Sequence, residues 1–231
     1  MSATVAIIPA RGGSKGIPRK NLVEVCGKPL IAWSILQARN ARDIDSVWVT
    51  SDDEDILAVA ASFGANPIKR PAEISGDQAT SESAWLHALD AIEGSGIPVG
   101  LVVAMQATSP IRESADLDGG VKMLRERGFD SLLSVAEVED FFTWRIADDG
   151  GAESINYDHR HRKRRQQIEK RYLENGSFYI FRPDLLRREN NRLGGRIALF
   201  VMDRHKMFQV DNPSDIHLCA AIMRGFGLDR I

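Results

Sequence analysis

Apolar runs recur along the chain at residues 4–10, 46–51, 99–106, 131–138, 176–181 and 197–202. They are continuous rather than alternating, which predicts strands buried on both faces. Between them the apolar positions change to helical spacing. Leu30, Trp33 and Leu36 with Ile31 and Ile35 predict a helix over 29–39, and Ile56, Leu57 and Ala60 predict one over 53–63. Leu86, Leu89 and Ile92 mark a third over 81–92 with Thr80 as its N-cap, and two more are expected over 114–127 and 213–224. Strands alternating with helices predict an α/β fold with a doubly wound, mostly parallel sheet. In such sheets ligands sit outside the carboxyl ends of the strands.

The alternation breaks over 139–173. Phe141, Phe142 and Trp144 lead into the turn signal Asp148-Asp149-Gly150-Gly151, after which 153–157 is placed to return as the second strand of a hairpin. An aromatic hairpin of this size is marginal alone and wants a surface to cover it. The segment reads as an insertion in a single domain spanning 1–231.

Composition removes several function classes. A chain of 231 residues, 43% hydrophobic, can bury one sizeable core. No apolar stretch approaches the ~20 residues that span a bilayer, and the N-terminus enters a strand without a leader pattern, so a soluble, cytoplasmic protein is expected. Cys26 and Cys219 have neither disulfide-framework nor zinc spacing and are expected as ordinary reduced thiols. The net charge of −2 gives no global attraction to nucleic acid or membrane, so anion binding must come from local clusters. None of the five histidines sits in a metal or triad spacing.

One such cluster stands at the start. The run Val5-Ala6-Ile7-Ile8-Pro9-Ala10 opens into Arg11-Gly12-Gly13-Ser14-Lys15-Gly16-Ile17-Pro18-Arg19-Lys20-Asn21. Three glycines let backbone N–H groups approach a ligand, and Arg11, Lys15, Arg19 and Lys20 put four cations within ten residues. That is a site for a polyanion. The spacing is neither G-x-x-x-x-G-K-[ST] nor G-x-G-x-x-G, which excludes the P-loop and dinucleotide readings.

These residues resemble the N-terminal signature of the CMP-sialic acid synthetase family, the acylneuraminate or nonulosonate cytidylyltransferases, which are related to CMP-Kdo synthetases and to sugar nucleotidyltransferases at large. Arg70-Pro71-Ala72-Glu73, Gln106-Ala107-Thr108-Ser109-Pro110-Ile111-Arg112, and Arg165-Gln166-Gln167 with Asn175-Gly176-Ser177 match in the same order. The resemblance covers nearly the whole chain. It implies a sheet like that of the nucleotide-diphospho-sugar transferases and a subdomain at 139–173 that pairs two subunits and reaches the partner's sugar site. The bottom-up alternative for that segment is an intramolecular flap.

The implied reaction joins CTP to a nonulosonic acid, a nine-carbon 2-keto acid sugar, with attack of the anomeric hydroxyl on the α-phosphate and release of pyrophosphate. Arg11, Lys15 and Lys20 suit the charge that develops on the phosphates. The resemblance makes Lys20 and Arg11 catalytic and assigns the cytosine to Asn21 and Arg70, assisted by Ser81 and the backbone near Ala79. Amide, guanidinium and hydroxyl groups complement the donor and acceptors of that base. Asp211 in Val210-Asp211-Asn212-Pro213 is the expected Mg2+ ligand. The family often carries D-x-D here, whereas this chain has Gln209 at the first position. Asp215 reads as a first-turn carboxylate, and Asp52 and Asp53 as caps of the following helix, with a metal-ligand role as the alternative for that pair. Gln106, Arg165, Asn175 and Tyr179 are the expected acceptor-site residues, with Arg162 and Arg164 as alternatives to Arg165 for the substrate carboxylate. Thr108-Ser109-Pro110 reads as a turn that fixes Gln106, and Arg112 as structural.

Within this class the rivals are activation of Kdo and of legionaminic or pseudaminic acid. The partners implied are CTP, the sugar and a second copy of the chain as homodimer, with no nucleic acid and no membrane. Two readings of a different class remain, a CTP-binding regulator without chemistry and an RNA-binding scaffold built on His159-Arg160-His161-Arg162-Lys163-Arg164-Arg165.

Overall fold

The computed structural model describes residues 2–138 and 141–231, the side chain of Arg165 excepted. In chain order its first elements are β1 (Ala3–Pro9), β2 (Glu24–Val25), β3 (Lys28–Pro29), α1 (Leu30–Arg39), β4 (Ser46–Ser51), α2 (Glu54–Ser62) and β5 (Asn66–Lys69). There follow α3 (Ser81–Gly94), β6 (Val99–Met105), α4 (Ser114–Arg127), β7 (Ser131–Val138), β8 (Trp144–Ile146) and β9 (Ala152–Ser154). The last are β10 (Arg171–Phe181), α5 (Pro183–Glu189), β11 (Ile197–Met202) and α6 (Pro213–Gly225).

Seven strands form one sheet in the order β11-β7-β10-β6-β1-β4-β5. All run parallel except β10, which pairs antiparallel with both β6 and β7. The continuous apolar runs have the expected cause. In β1, Ala6 and Ile8 enter the core under α1, α2 and α4, while Val5 and Ile7 enter the core under α3 and α5.

A third, smaller core matters more for function. Ile17 of the glycine loop packs with Val25, Leu30, Trp33, Val210, Cys219 and Met223. It pins the loop after β1 to the segment that leads into α6.

Three features depart from the sequence expectation. β5 was not anticipated, because Asn66-Pro67-Ile68-Lys69 has no apolar run; it is an edge strand, where a proline is tolerated. α5 has only seven residues and starts on Pro183, too short for a periodic signal. β10 begins at Arg171, inside the segment expected to be irregular, and its first four residues are exposed where it runs on beside β7. The hairpin itself is present as β8 and β9. Arg145 and Glu153 pair across it, and Phe142 stacks on Tyr157 with ring centroids 4.2 Å apart.

Candidate active site

The chain order reverses between β1 and β6: β4 and β5 lie on one side of β1, and β6 lies on the other. At this switch point the carboxyl ends of the two strands part around a cavity of about 500 Å³, within the size range of small-molecule sites. Its lining brings together Arg11, Lys15, Lys20, Asn21, Arg70, Ser81, Gln106 and Asp211.

Each of the four cations in this lining is paired with a carboxylate. Arg11 Nη1 lies 3.0 Å and Lys15 Nζ 2.7 Å from the two oxygens of Asp77. The Asp77 carboxyl is held below the usual carboxylate range, chiefly by its hydrogen bond from Lys15. Lys20 Nζ sits 3.0 Å from Asp211 Oδ1. The lysine side chain is only 17% exposed, whereas Asp211 is 63% exposed and open to the cavity. Gly16 permits this approach: a Cβ there would stand 2.7 Å from the Asp211 carbonyl oxygen. Arg19, the fourth cation of the opening run, is not part of this set. It takes a left-handed backbone with φ 53° and pairs with Asp55 on α2.

Asn21 and Arg70 are buried in the same cavity. The Asn21 amide donates to the Arg11 carbonyl at 3.0 Å. Arg70, 6% exposed, donates from Nε to Ser75 Oγ and lies 3.7 Å from Asp52 Oδ1. Burial lowers its pKa and Asp52 opposes the shift. Asp52 also accepts the Gly12 N–H at 3.1 Å, so that amide faces a carboxylate rather than a ligand. Only Asp53 caps α2, accepting from the backbone N–H groups of Asp55 and Ile56. Ser81 opens α3, and Thr80 accepts the Ser83 N–H as the N-cap.

The acceptor-site expectations divide. Gln106 lines the cavity. Asn175 does not: it is buried in an irregularity of β10, between Glu174 and Tyr179, where the ladder to β7 shifts register. Its Oδ1 accepts from Ser134 Oγ and the Ser177 N–H, and its amide donates toward the Lys206 carbonyl and the Met202 sulfur. These bonds replace missing ladder bonds, so Asn175 completes the bulge. Gly176 turns the chain there with φ +61°, and Gln209 donates to the Asn175 carbonyl. Gln209 thus braces the bulge, at the place where the family often has a second aspartate.

Tyr179 is likewise buried away from the cavity, donating its hydroxyl to Glu174, with Arg192 over its ring. Burial and Glu174 push its pKa well above the ordinary tyrosine value. The side chain of Arg165 lies outside the described residues; its backbone begins a 3-10 turn, Arg165–Gln167. Arg162 lies over the Phe142 ring.

Arg112 is structural and ties two of the matching stretches together. Its buried guanidinium donates to Ser177 Oγ and to the carbonyls of Gln106 and Ser109, while Ser109 Oγ donates to the Gly176 carbonyl. Burial lowers its pKa to about 9, against the attraction of Asp116. It is still charged at neutral pH, and it locks the turn that presents Gln106.

For magnesium, Asp211 fits a role shared with substrate phosphates: its carboxylate is exposed beside the phosphate loop. Among the described residues no cluster of three or more potential ligands exists, so a cage built wholly by protein is not offered. Asp215 faces elsewhere, accepting the backbone N–H groups of Asp211 and Asn212 as half of a capping box. One cavity group escaped sequence reasoning: Asp77 stood in a Ser-Gly-Asp turn with no motif.

A family profile described as Cytidylyltransferase matches residues 5–218. N-acylneuraminate cytidylyltransferase of Oncorhynchus mykiss is 35% identical over 233 residues, 97% of this chain and 52% of that protein. Pseudaminic acid cytidylyltransferase of Campylobacter jejuni is 30% identical over 222 residues, 95% of this chain and 96% of that one. The chain therefore spans about half the length of the fish relative and nearly all of the bacterial one. Among solved structures, a CMP:2-keto-3-deoxy-manno-octonic acid synthetase complexed with CTP superposes with TM-score 0.72 at 16% identity, over 97% of this chain and 100% of that one. A 4-diphosphocytidyl-2C-methyl-D-erythritol synthase from Anaerococcus prevotii gives TM-score 0.67 at 15% identity, over 96% of each chain. These two carry the fold alone. With the profile spanning most of its length, the chain belongs to the cytidylyltransferase family.

Proposed function

We propose that the protein transfers the cytidylyl group of CTP to a nonulosonic acid, giving the CMP-sugar and pyrophosphate. The observation that carries this reading is the meeting of Lys20 and Asp211, 191 residues apart, at 3.0 Å in one cavity with Arg11, Lys15 and Arg70. The names of the two relatives, which act on N-acylneuraminic and pseudaminic acids, support the acceptor class.

In this reading the anomeric oxygen forms a bond to the α-phosphorus while the bond to pyrophosphate breaks. Lys20 donates to the α-phosphate oxygens, where negative charge grows. Arg11 and Lys15 receive the β- and γ-phosphates and so stabilise the leaving group. Asn21, Arg70 and Ser81 hold the cytosine, because a closed site with buried donors rejects a base that leaves them unpaired. Gln106 bonds sugar hydroxyls and orients the acceptor. Asp211, together with the substrate phosphates, would hold magnesium, which would supply charge neutralisation and polarisation of the phosphate. Asn175 and Tyr179 act behind the site, as supports of β10.

A second copy of the chain covers the hairpin. Trp144, Ile146 and Ile155 stay exposed on it, Ile146 at 84%. Light scattering tests this, and a monomer at micromolar concentration refutes it. The reaction is tested in cytoplasm-like buffer by pyrophosphate release with CTP, magnesium and a panel of N-acetylneuraminic, deaminated nonulosonic, legionaminic and pseudaminic acids and Kdo, with other nucleotides as controls. Release with CTP and one nonulosonic acid is expected. Release only with Kdo overturns the acceptor class, and silence throughout overturns the reaction.

A further inference from the structure

We infer that Asp77 is a built-in counter-anion that occupies the polyphosphate end of the cavity and must be displaced when nucleotide enters. The inference rests on the reading of this cavity as the triphosphate site. It adds to that reading a residue that sets nucleotide affinity and pyrophosphate release.

The three carboxylates that pair with the cavity cations are anchored differently. Asp52 is fixed by the Gly12 N–H at 3.1 Å as well as by Arg70. Asp211 sits directly after Val210, which is buried in the third core. Asp77 has no such anchor. It stands on the exposed connection between β5 and α3, and its carboxylate bonds are those to Arg11 and Lys15. The connection is held by the Gly76 carbonyl, which accepts the Ala79 N–H and, at 3.5 Å, Arg11 Nη1, and by Ser75 Oγ, which accepts from Arg70 Nε; a Cβ at Gly76 would meet nothing within 4 Å.

One carboxylate bridging two cations reproduces what a phosphate group would do between them: two oxygens, 3.0 and 2.7 Å from Arg11 Nη1 and Lys15 Nζ. A phosphate carries more charge and more acceptor oxygens than the carboxylate, so it wins the exchange. The cost is loss of two exposed ion pairs, which are weak because water screens them. After transfer, the same carboxylate competes with pyrophosphate for Arg11 and Lys15 and speeds its departure.

The test is calorimetric titration of inorganic tripolyphosphate into the wild type, Asp77→Asn and Asp77→Ser, with Asp77→Glu as the conservative variant. Because the side chain is surface-exposed, all four should fold, and thermal melts check this. Both neutral variants should bind tripolyphosphate about three- to tenfold more tightly, the effect of removing one or two such pairs, and the gain should shrink as salt rises. Asp77→Glu should stay near the wild type. With CTP the gain should match that for tripolyphosphate, because the base end is untouched. Equal or weaker binding by the neutral variants overturns the inference while leaving the triphosphate site intact, and identifies Asp77 as a brace. No tripolyphosphate binding by any of the four proteins overturns the site reading and the inference together.

Discussion

The cavity at the ends of β1 and β6 is lined by charged and polar groups and the hairpin of β8 and β9 by aromatic ones, and the two are held in opposite ways. The cavity's cations are fixed from behind by buried structure: Ile17 and Val210 in one core, and Arg112 bridging the Gln106 turn to the β10 bulge. The hairpin has no core of its own. Its aromatics stack on one another, Phe142 and Trp144 against Tyr157, and leave Ile146 and Ile155 in solvent. A site that must hold charges at fixed distances is built on rigid elements. A segment that leaves apolar surface open awaits a partner.

The contrast can be broken most strongly at the cavity. Lys20→Ala should lower the turnover number by about 10²- to 10³-fold, the usual cost of one transition-state donor, with an unchanged melting temperature. Wild-type turnover would remove Lys20 from the chemistry. Asp211→Asn should raise the magnesium concentration needed for half-maximal rate, read from a metal titration. Next in size is the support behind the site. Arg112→Ala should cost about 3 kcal/mol in urea unfolding, because three buried acceptors lose their donor. A neutral result would mean that the bulge and the Gln106 turn are independent.

The hairpin should respond in the other currency. Ile146→Lys should shift light scattering toward monomer at a given concentration while changing the melting temperature little, since the side chain is 84% exposed within the subunit. A dimer that survives both Ile146→Lys and Ile155→Lys would locate the contact elsewhere. The smallest effect belongs to Asp215→Asn, expected to cost about 1 kcal/mol as the loss of half a capping box, with turnover unchanged. Backbone N–H groups of Asn212 and Asp211 hold the Asp215 carboxyl below its ordinary value. Its stabilisation is therefore complete above the unfolded value of ~3.9 and is lost as pH falls through the folded one. Acid titration of the difference between the two proteins checks the sign.

Most of the fold was legible because buried strands and amphipathic helices carry their period in the sequence. The core strands and five helices appear close to where the runs and spacings put them. What escaped were elements without a period: β5, with its edge proline, and α5, only about two turns long. The site was legible where chemistry is local. Arg11, Lys15, Lys20 and Asn21 are contiguous with a strand end, and Arg70, Ser81, Gln106 and Asp211 matched motifs. Asn175 stands in the β10 bulge outside the cavity lining, a placement set by a ladder register that the sequence does not carry.

Composition and order alone determined that this is an α/β chain with a basic glycine loop after its first strand, since hydrophobic burial and glycine sterics act over a few residues. Only the tertiary structure decided the charge pairing. Lys20 meets Asp211, Arg70 meets Asp52, and Asp77 bridges Arg11 and Lys15 because a switch in strand order and a small third core bring distant segments within about 3 to 4 Å. Coulomb and hydrogen-bond energies fall off over that scale, and distance along the chain carries no information about it.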